Sequence, residues 1–149
     1  MRSTVHADDV DPSVSAAMAE LAAEQPVQHI TADLAEVTEL PSADLVLACA
    51  SLPFVPRAEF DVLWDAVRRA LRRGGVLAVD LFGDRDDWAS TDGTYLARPE
   101  AEALFEGLDL LSMSEVERDG ASFAGPKHWH TYQVIARRSQ SRPAAFSAR

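Results

Sequence analysis

The chain has 149 residues, a formal net charge of −10 and a hydrophobic fraction of 47%. This length and composition predict a single globular domain with a substantial core. The negative charge repels phosphate backbones and disfavours a nucleic-acid substrate, and the absence of a run of about 18 apolar residues argues against a membrane span. Asp8, Asp9 and Asp11 stand where a signal peptide needs apolar residues, so we expect a cytoplasmic protein.

The first thirty residues predict a strand, a helix and a second strand. Residues 4–7 form a short candidate strand. A helix follows over 11–24, because Asp can cap a helix, Pro fits the first helical position and apolar residues recur every three or four positions. The apolar stripe consists of Val14, Met18 and Leu21. Val27–Thr31 alternates and predicts a strand, and 35–41 is a polar connection with room for one helical turn.

The stretch 43–88 predicts the unit around which the fold is organised. An apolar strand, Leu45–Cys49, leads through a loop with two prolines, 50–56, into an amphipathic helix. After Gly74-Gly75 a second apolar strand follows, Val76–Phe82. Such apolar runs are typical of a parallel sheet covered on both faces, joined by a right-handed crossover. Cys49 is then an inert core thiol. The helix positions expected in the core are Phe60, Leu63, Trp64, Val67 and Leu71.

The last third predicts one helix and two strands. The helix begins at Arg98-Pro99-Glu100 and ends at Gly107. Its inward-facing residues are expected to be Ala103, Leu104 and Phe105. Leu108–Val116 and Thr131–Arg137 predict strands, joined by a long link over 117–127 that contains two glycines and a proline. Residues 138–149 are expected to form a flexible tail.

The order of these motifs carries a family resemblance. An acidic residue opening an apolar strand, the Ser51–Phe54 loop, a helix with Trp64 and a Leu-Arg-Arg-Gly-Gly turn resemble the second half of a class I S-adenosylmethionine (SAM) dependent methyltransferase. The Leu81–Asp84 turn and Pro126–His130 are similar to the small tellurite-resistance-like methyltransferases. The resemblance implies an α/β, Rossmann-like sheet, mostly parallel with a C-terminal antiparallel hairpin, in one domain over 1–137.

The resemblance also implies where SAM is held. In this family an acidic side chain at the end of the second strand accepts hydrogen bonds from both ribose hydroxyls, and Asp9 matches that place; the alternative is a solvated acidic turn with a helix cap. Asp33 and Leu34 match the positions that hold the adenine ring. The implied cofactor-binding residues are Asp9, Val10, Asp33, Leu34, Ala50 and Ser51.

Substrate contacts are expected where strands end, because parallel strands point their carboxyl ends at the ligand crevice. Trp88 either caps the substrate side as a lid or packs under its loop. Two histidines at i and i+2 share one face of a strand, but no further ligands are in view, so a metal is disfavoured. The substrate-side candidates are Leu52, Pro53, Phe54, Trp88, His128 and His130. No catalytic residue is identified.

One absence bears on function. The family begins with a strand and a glycine-rich turn that approaches the cofactor closely, yet no glycine precedes Gly74. We therefore expect an N-terminally truncated domain, explained by a misplaced start, a gene fragment or a complementing partner. The first hypothesis is methyl transfer to a small molecule, achieved mostly by alignment and desolvation.

Two other hypotheses remain. The second is a non-catalytic remnant or subunit that needs a partner, a second copy or a complementing chain, to complete its sheet. The third is a flavodoxin-like module, whose phosphate loop is rich in Gly, Ser or Thr. The acidic stretch Asp8–Asp11 has the wrong charge for such a loop.

Overall fold

The computed structural model describes residues 3–140, which form seven strands and three helices. Single 3-10 turns occupy Pro12–Val14, Leu34–Glu36 and Leu52–Phe54. The elements in chain order are β1 (Val5–Asp9), α1 (Ser15–Glu24), β2 (Val27–Thr31), β3 (Ala43–Ala48), α2 (Arg57–Ala70), β4 (Leu71–Gly83), β5 (Tyr95–Leu96), α3 (Arg98–Ala103), β6 (Asp109–Ser122) and β7 (Gly125–Arg137).

The strands form two hydrogen-bonded sheets. β1 and β2 make a parallel pair, and the larger sheet has the order β3-β4-β7-β6 with β5 beside the end of β4. β3, β4 and β5 run parallel, whereas β7 lies antiparallel between β4 and β6. This confirms the predicted α/β architecture with an antiparallel hairpin at its C-terminal end.

α2 builds the core because its apolar residues recur on one face. All five predicted core positions are buried, with Leu71 at the start of β4. Trp64 stacks on Phe60 at 6.0 Å between ring centroids and meets Phe105 edge-on at 5.3 Å. Its indole Nε1 donates to the carbonyl of Leu104 at 3.1 Å. From α3 and the turn after it, Ala101 and Phe105 are buried, but Ala103 is exposed and was predicted wrongly.

The hairpin of β6 and β7 is longer than the sequence suggested. The expected link over 117–127 is mostly strand, and only Phe123 and Ala124 form the turn. Gly125 has a φ of +111°, which side chains disfavour, and the Ser122 hydroxyl donates to its carbonyl at 2.7 Å. The polar residues that resembled a loop instead alternate across the hairpin and pair with each other.

β3 is covered on one face, not on both as predicted. Val46 and Ala48 face the core, whereas Leu45 is 60% and Leu47 is 66% exposed. Within residues 3–140 the edge of β3 opposite β4 pairs with no strand, and neither does the edge of β1 opposite β2. Cys49 lies just beyond β3 and is exposed, so it is not a core thiol.

Two further features concern the helices and the C-terminus. α1 has no buried residue, so its apolar stripe is only partly covered. In the described part of the chain, no helix has the length and apolar composition needed to cross a membrane.

The start of the expected C-terminal tail is ordered against the sheet. Arg138, the first residue after β7 and of the expected tail, is held in place because its N–H donates to the Gly75 carbonyl at 2.9 Å. Residues 141–149 of the predicted tail lie outside the described residues.

Candidate functional site

The carboxyl ends of β1 and β2 bring Asp9 and Asp33 to one end of their sheet. Asp9 is paired with Thr31, and its carbonyl accepts from the N–H of Ala32 at 2.9 Å, one residue before Asp33. Parallel strands end at the same edge, so both carboxylates lie at the edge where ligands bind in such folds. Both residues are exposed.

Each carboxylate uses one oxygen to shape its own turn. Oδ1 of Asp9 accepts from the N–H of Asp11 at 2.8 Å, and Oδ1 of Asp33 accepts from Ala35 at 2.9 Å. Among residues 3–140 the second oxygen of each carboxylate accepts no hydrogen bond, so both remain available to hydroxyl or amino donors. These acceptor oxygens are compatible with the hydroxyl and amino groups of a nucleoside, and Asp9 also forms the acidic turn expected as the alternative.

The neighbours of these carboxylates have different roles. Asp11 caps the following turn through Ser13 at 2.8 Å, and this backbone hydrogen bond lowers the pKa of Asp11. Val10 is 64% exposed beside it, whereas Leu34 is half-buried against the core.

The second group of candidates follows β3. Ala50 has a φ of +49°, an uncommon conformation for a residue with a Cβ, and it turns the chain out of the sheet. The half-buried Ser51 makes no side-chain capping bond to the turn that follows it. Leu52 and Pro53 are buried inside the core, so they support the loop from behind and offer no surface to a substrate. Phe54, at 49% exposure, is the residue of this loop that faces outward.

Two hydrogen bonds join the loop after β4 to the loop after β3. The N–H of Thr94 donates to the carbonyl of Pro53 at 2.9 Å, and its hydroxyl donates to Val55 at 2.9 Å. Trp88 therefore lies beside Phe54, with ring centroids 6.1 Å apart. Trp88 is half-buried, so it packs against the loop and part of its side chain remains exposed to solvent.

A buried ion pair that the sequence did not reveal stabilises the loop after β4. Lys127 and Asp86 are in contact at 2.5 Å, with side chains 2% and 0% exposed. The Lys127 ammonium lies over the rings of Trp88 at 3.4 Å and Trp129 at 4.0 Å. A buried cation is stable there because the carboxylate and the aromatic faces replace water. The pair joins the loop after β4 to β7.

A charged cluster lies beside this pair and includes His130. The prediction put His130 on the substrate side of the protein. Its ring is 0% exposed, so it presents no surface there. Its Nδ1 accepts from the backbone N–H of Arg85 at 3.1 Å, so the proton resides on Nε2, which donates to Glu115 at 2.9 Å. Gly83 makes room for the ring, because a Cβ at this position would stand 2.0 Å from Nδ1.

Arg85 neutralises the carboxylates of this cluster. Its guanidinium donates to Glu115 at 2.8 Å and to Glu117 at 2.5 Å. Hydrogen bonds from Arg98 and then His130 lower the pKa of Glu115 to about 2, and Arg85 followed by His128 does the same to Glu117. These carboxylates are therefore charged across the whole physiological range.

His128 is the more accessible of the two histidines. Its Nδ1 lies 2.8 Å from Asp119 and its Nε2 lies 3.1 Å from Glu117, and these hydrogen bonds raise its pKa. Glu115, Glu117 and His130 offer ligand atoms within 4.8 Å of one another, a spacing that suits a metal. The Arg85 guanidinium already supplies positive charge to both carboxylates, so the cluster is explained without one.

Sequence reasoning missed Arg85, Lys127 and the two glutamates. The available signal was the i, i+2 repeat of Glu115 and Glu117, which puts both on one face of a strand. This repeat would have indicated the cluster only together with the correct register of the β6–β7 hairpin, in which Glu117 is paired with His130.

Two cavities in the described part of the chain are lined by residues other than those of the predicted site. One cavity of about 210 Å³ lies between α2 and residues 39–42, and another of about 140 Å³ lies between the β1–β2 pair and residues 37–41. Both are smaller than the roughly 300 Å³ that ligand pockets usually need. Asp9, Asp33 and Ser51 line neither cavity.

Comparison with known proteins gives a family and a fold. A family model described as "Methyltransferase domain" matches residues 1–79, and no curated protein matches the chain. TehB from Haemophilus influenzae superposes with a TM-score of 0.77 at 12% identity, over 91% of this chain and 50% of that one. The N-methyltransferase NodS from Bradyrhizobium japonicum superposes with a TM-score of 0.66 at 15% identity, over 91% and 74%. The chain thus spans half the length of the TehB structure.

Proposed function

The chain belongs to the family of methyltransferase domains, and we propose that it binds SAM and transfers its methyl group to a small-molecule acceptor. The observation that carries this proposal is the family match over residues 1–79, the segment that contains Asp9, Asp33 and Ser51. A solved structure of NodS in complex with S-adenosylhomocysteine (SAH) shares this fold, with a TM-score of 0.58 at 16% identity over 88% of this chain and 66% of that one.

In this proposal the two carboxylates bind the nucleoside. The free oxygen of Asp9 accepts from the ribose hydroxyls and that of Asp33 accepts from the adenine amino group. SAM supplies a methyl group activated by a positively charged sulfur. Ser51 and Phe54, at the end of β3, border the acceptor and exclude water from it. The protein then contributes alignment and desolvation, so no general base is required.

Calorimetric titration with SAH tests this proposal. We expect binding by the unmodified chain and roughly tenfold weaker binding for Asp9→Asn and Asp33→Ala, the cost of about one hydrogen bond. Asp9→Asn keeps the acceptor for its own turn, so it separates ligand binding from folding. Asp65→Ala, at an exposed position on α2, is the matched control and should bind as the unmodified chain does. Equal affinities for all four proteins would refute the nucleoside site.

A second candidate is a subunit that acts only when another chain completes its sheet. The unpaired edge of β3 and the exposed Leu45 and Leu47 favour it. Light scattering after size exclusion tests it: a second copy predicts a concentration-dependent dimer that Leu47→Asp abolishes. A folded monomer that binds SAH would rule this candidate out.

We further propose that the protein acts in the cytoplasm and takes neither nucleic acid nor membrane as partner. Its single cysteine permits no internal disulfide, as is usual for cytosolic proteins, and its net charge of −10 opposes binding to phosphate backbones.

A further inference from the structure

The ammonium of Lys127 occupies a cage of three aromatic rings. Beside Trp88 and Trp129, the ring of Phe82 lies with its centroid 5.1 Å from Nζ. The carboxylate of Asp86 contacts the same nitrogen, and both charged side chains are almost fully buried. This cage has the chemistry that recognises a cation, and the protein's own lysine fills it.

The Lys127 ammonium covers one face of the Trp88 indole, and part of Trp88 stays exposed. The ammonium lies 3.4 Å from the centroid of the indole, so it covers one face of the ring. Every aromatic neighbour of Trp88 in residues 3–140 is tilted or edge-on, with interplanar angles of 47° to 64°. No ring in that range stacks parallel to the indole, and Trp88 remains partly exposed.

Two exposed phenyl rings flank this indole. Phe54 is 49% exposed and lies 6.1 Å from Trp88, and Phe123 is 88% exposed and lies 5.0 Å from it. Phe123 stands at the tip of the β6–β7 hairpin, where turns usually carry polar residues. Phe54, Trp88 and Phe123 therefore form a continuous aromatic surface, here called the aromatic rim.

We propose that the aromatic rim binds a planar, electron-rich aromatic ring, which stacks on Trp88 opposite the Lys127 ammonium. Stacked rings attract when their charge distributions are complementary, and a cation beneath one face of the indole favours an electron-rich ring on the other. A cationic ligand is less suited, because the cage for a cation is already filled. This inference rests on the proposed function, since the rim adjoins the Ser51 loop, and it makes the methyl acceptor an aromatic compound.

Titration with catechol, followed by the indole N–H signals in nuclear magnetic resonance, tests the inference. Trans-1,2-cyclohexanediol carries the same hydroxyls without the aromatic ring, and tetramethylammonium probes a cation. We expect catechol alone to shift the Trp88 signal, while that of Trp64 stays in place because it is hydrogen-bonded in the core. Equal shifts with the diol, or a shift with tetramethylammonium only, would overturn the proposal.

Variants locate the contact. Phe123→Ala removes an almost fully exposed ring, so the protein should fold normally and bind catechol at least fivefold more weakly. Val62→Ala, 49% exposed on α2, is the matched control. Phe54→Ala removes the other exposed phenyl ring of the aromatic rim, so it should also weaken catechol binding. Unchanged affinity in both Phe123→Ala and Phe54→Ala would overturn the inference.

The same titrations with SAH separate the two proposals. SAH binding without catechol binding would refute the aromatic acceptor and leave the methyltransferase proposal intact. A catechol shift at Trp88 in a protein that does not bind SAH would refute the methyltransferase proposal and leave the aromatic rim in place.

Discussion

Gly83→Ala should strongly destabilise the protein, because this glycine leaves room for the buried ring of His130. A Cβ at residue 83 would lie 2.0, 2.2 and 2.4 Å from three atoms of the His130 ring. Cβ atoms in real proteins essentially never approach another atom closer than 3.0 Å. The ring is 0% exposed and cannot move without losing the hydrogen bond from the Arg85 N–H. Overpacking costs about 1–3 kcal/mol, and a buried acceptor left without its donor costs about 1–3 kcal/mol more.

The sum, about 2–6 kcal/mol, is a large part of the 5–15 kcal/mol typical of a domain, and for a chain of this size it lowers Tm by roughly 4–24 °C. Urea denaturation followed by tryptophan fluorescence measures the change. Gly120→Ala is the matched control in a strand, because its close contact is the flexible end of Arg118, and it should cost less than about 1 kcal/mol. If Gly83→Ala were no less stable than Gly120→Ala, the packing argument would be wrong.

The double variant Gly83→Ala, His130→Ala adds a sharper test. Removing the imidazole removes the clash, so the two substitutions should be far from additive, with a coupling of about 1–3 kcal/mol. Additive losses of stability would mean that the two residues do not touch.

Three further predictions follow from the same structure. Because their arginine and histidine partners hold the pKa of Glu115 and Glu117 at about 2, below the usual 4.5, these carboxylates stabilise the fold fully above pH 4.5. That stability should fade as pH falls towards 2, and Glu117→Gln should flatten the decline in urea midpoints; an unchanged slope would contradict the ion pairing. The pKa of His128 is raised in the folded protein, so its contribution to stability is fully present below pH 6.5 and is lost as pH rises through the folded pKa. In thermal melts, His128→Gln should therefore lack the loss of stability that the unmodified chain shows as pH rises above 6.5. Ala50→Gly should raise stability by up to about 1 kcal/mol by relieving the φ of +49°, and a loss of stability would argue against that conformation.

The sequence predicted the elements whose pattern is local. The core face of α2 followed from the 3.6-residue period, and Val27–Thr31 from its alternation and the proline before it. The parallel βαβ unit was predictable because a crossover helix must cover an apolar strand. The roles of Asp9 and Asp33 came from family resemblance, and the titrations above are needed to test them.

The features that escaped prediction depend on distant residues. The length of the hairpin is set by pairs such as Glu117 with His130, which polar composition alone does not reveal. The apolar run of Leu45 and Leu47 predicted burial, but whether another element covers those side chains is not encoded in the strand itself. The burial of Lys127 depends on Asp86 and on the indoles of Trp88 and Trp129, which the fold brings together from separate parts of the chain.

The most direct test of the methyltransferase proposal is to map SAH on the folded chain by backbone amide shifts in nuclear magnetic resonance. We predict that the shifts cluster at the carboxyl ends of β1, β2 and β3, at Asp9, Val10, Asp33, Leu34 and Ser51. Shifts confined to the cavity near Glu39 and Arg69, or no shifts at millimolar SAH in a folded sample, would contradict the proposed cofactor site.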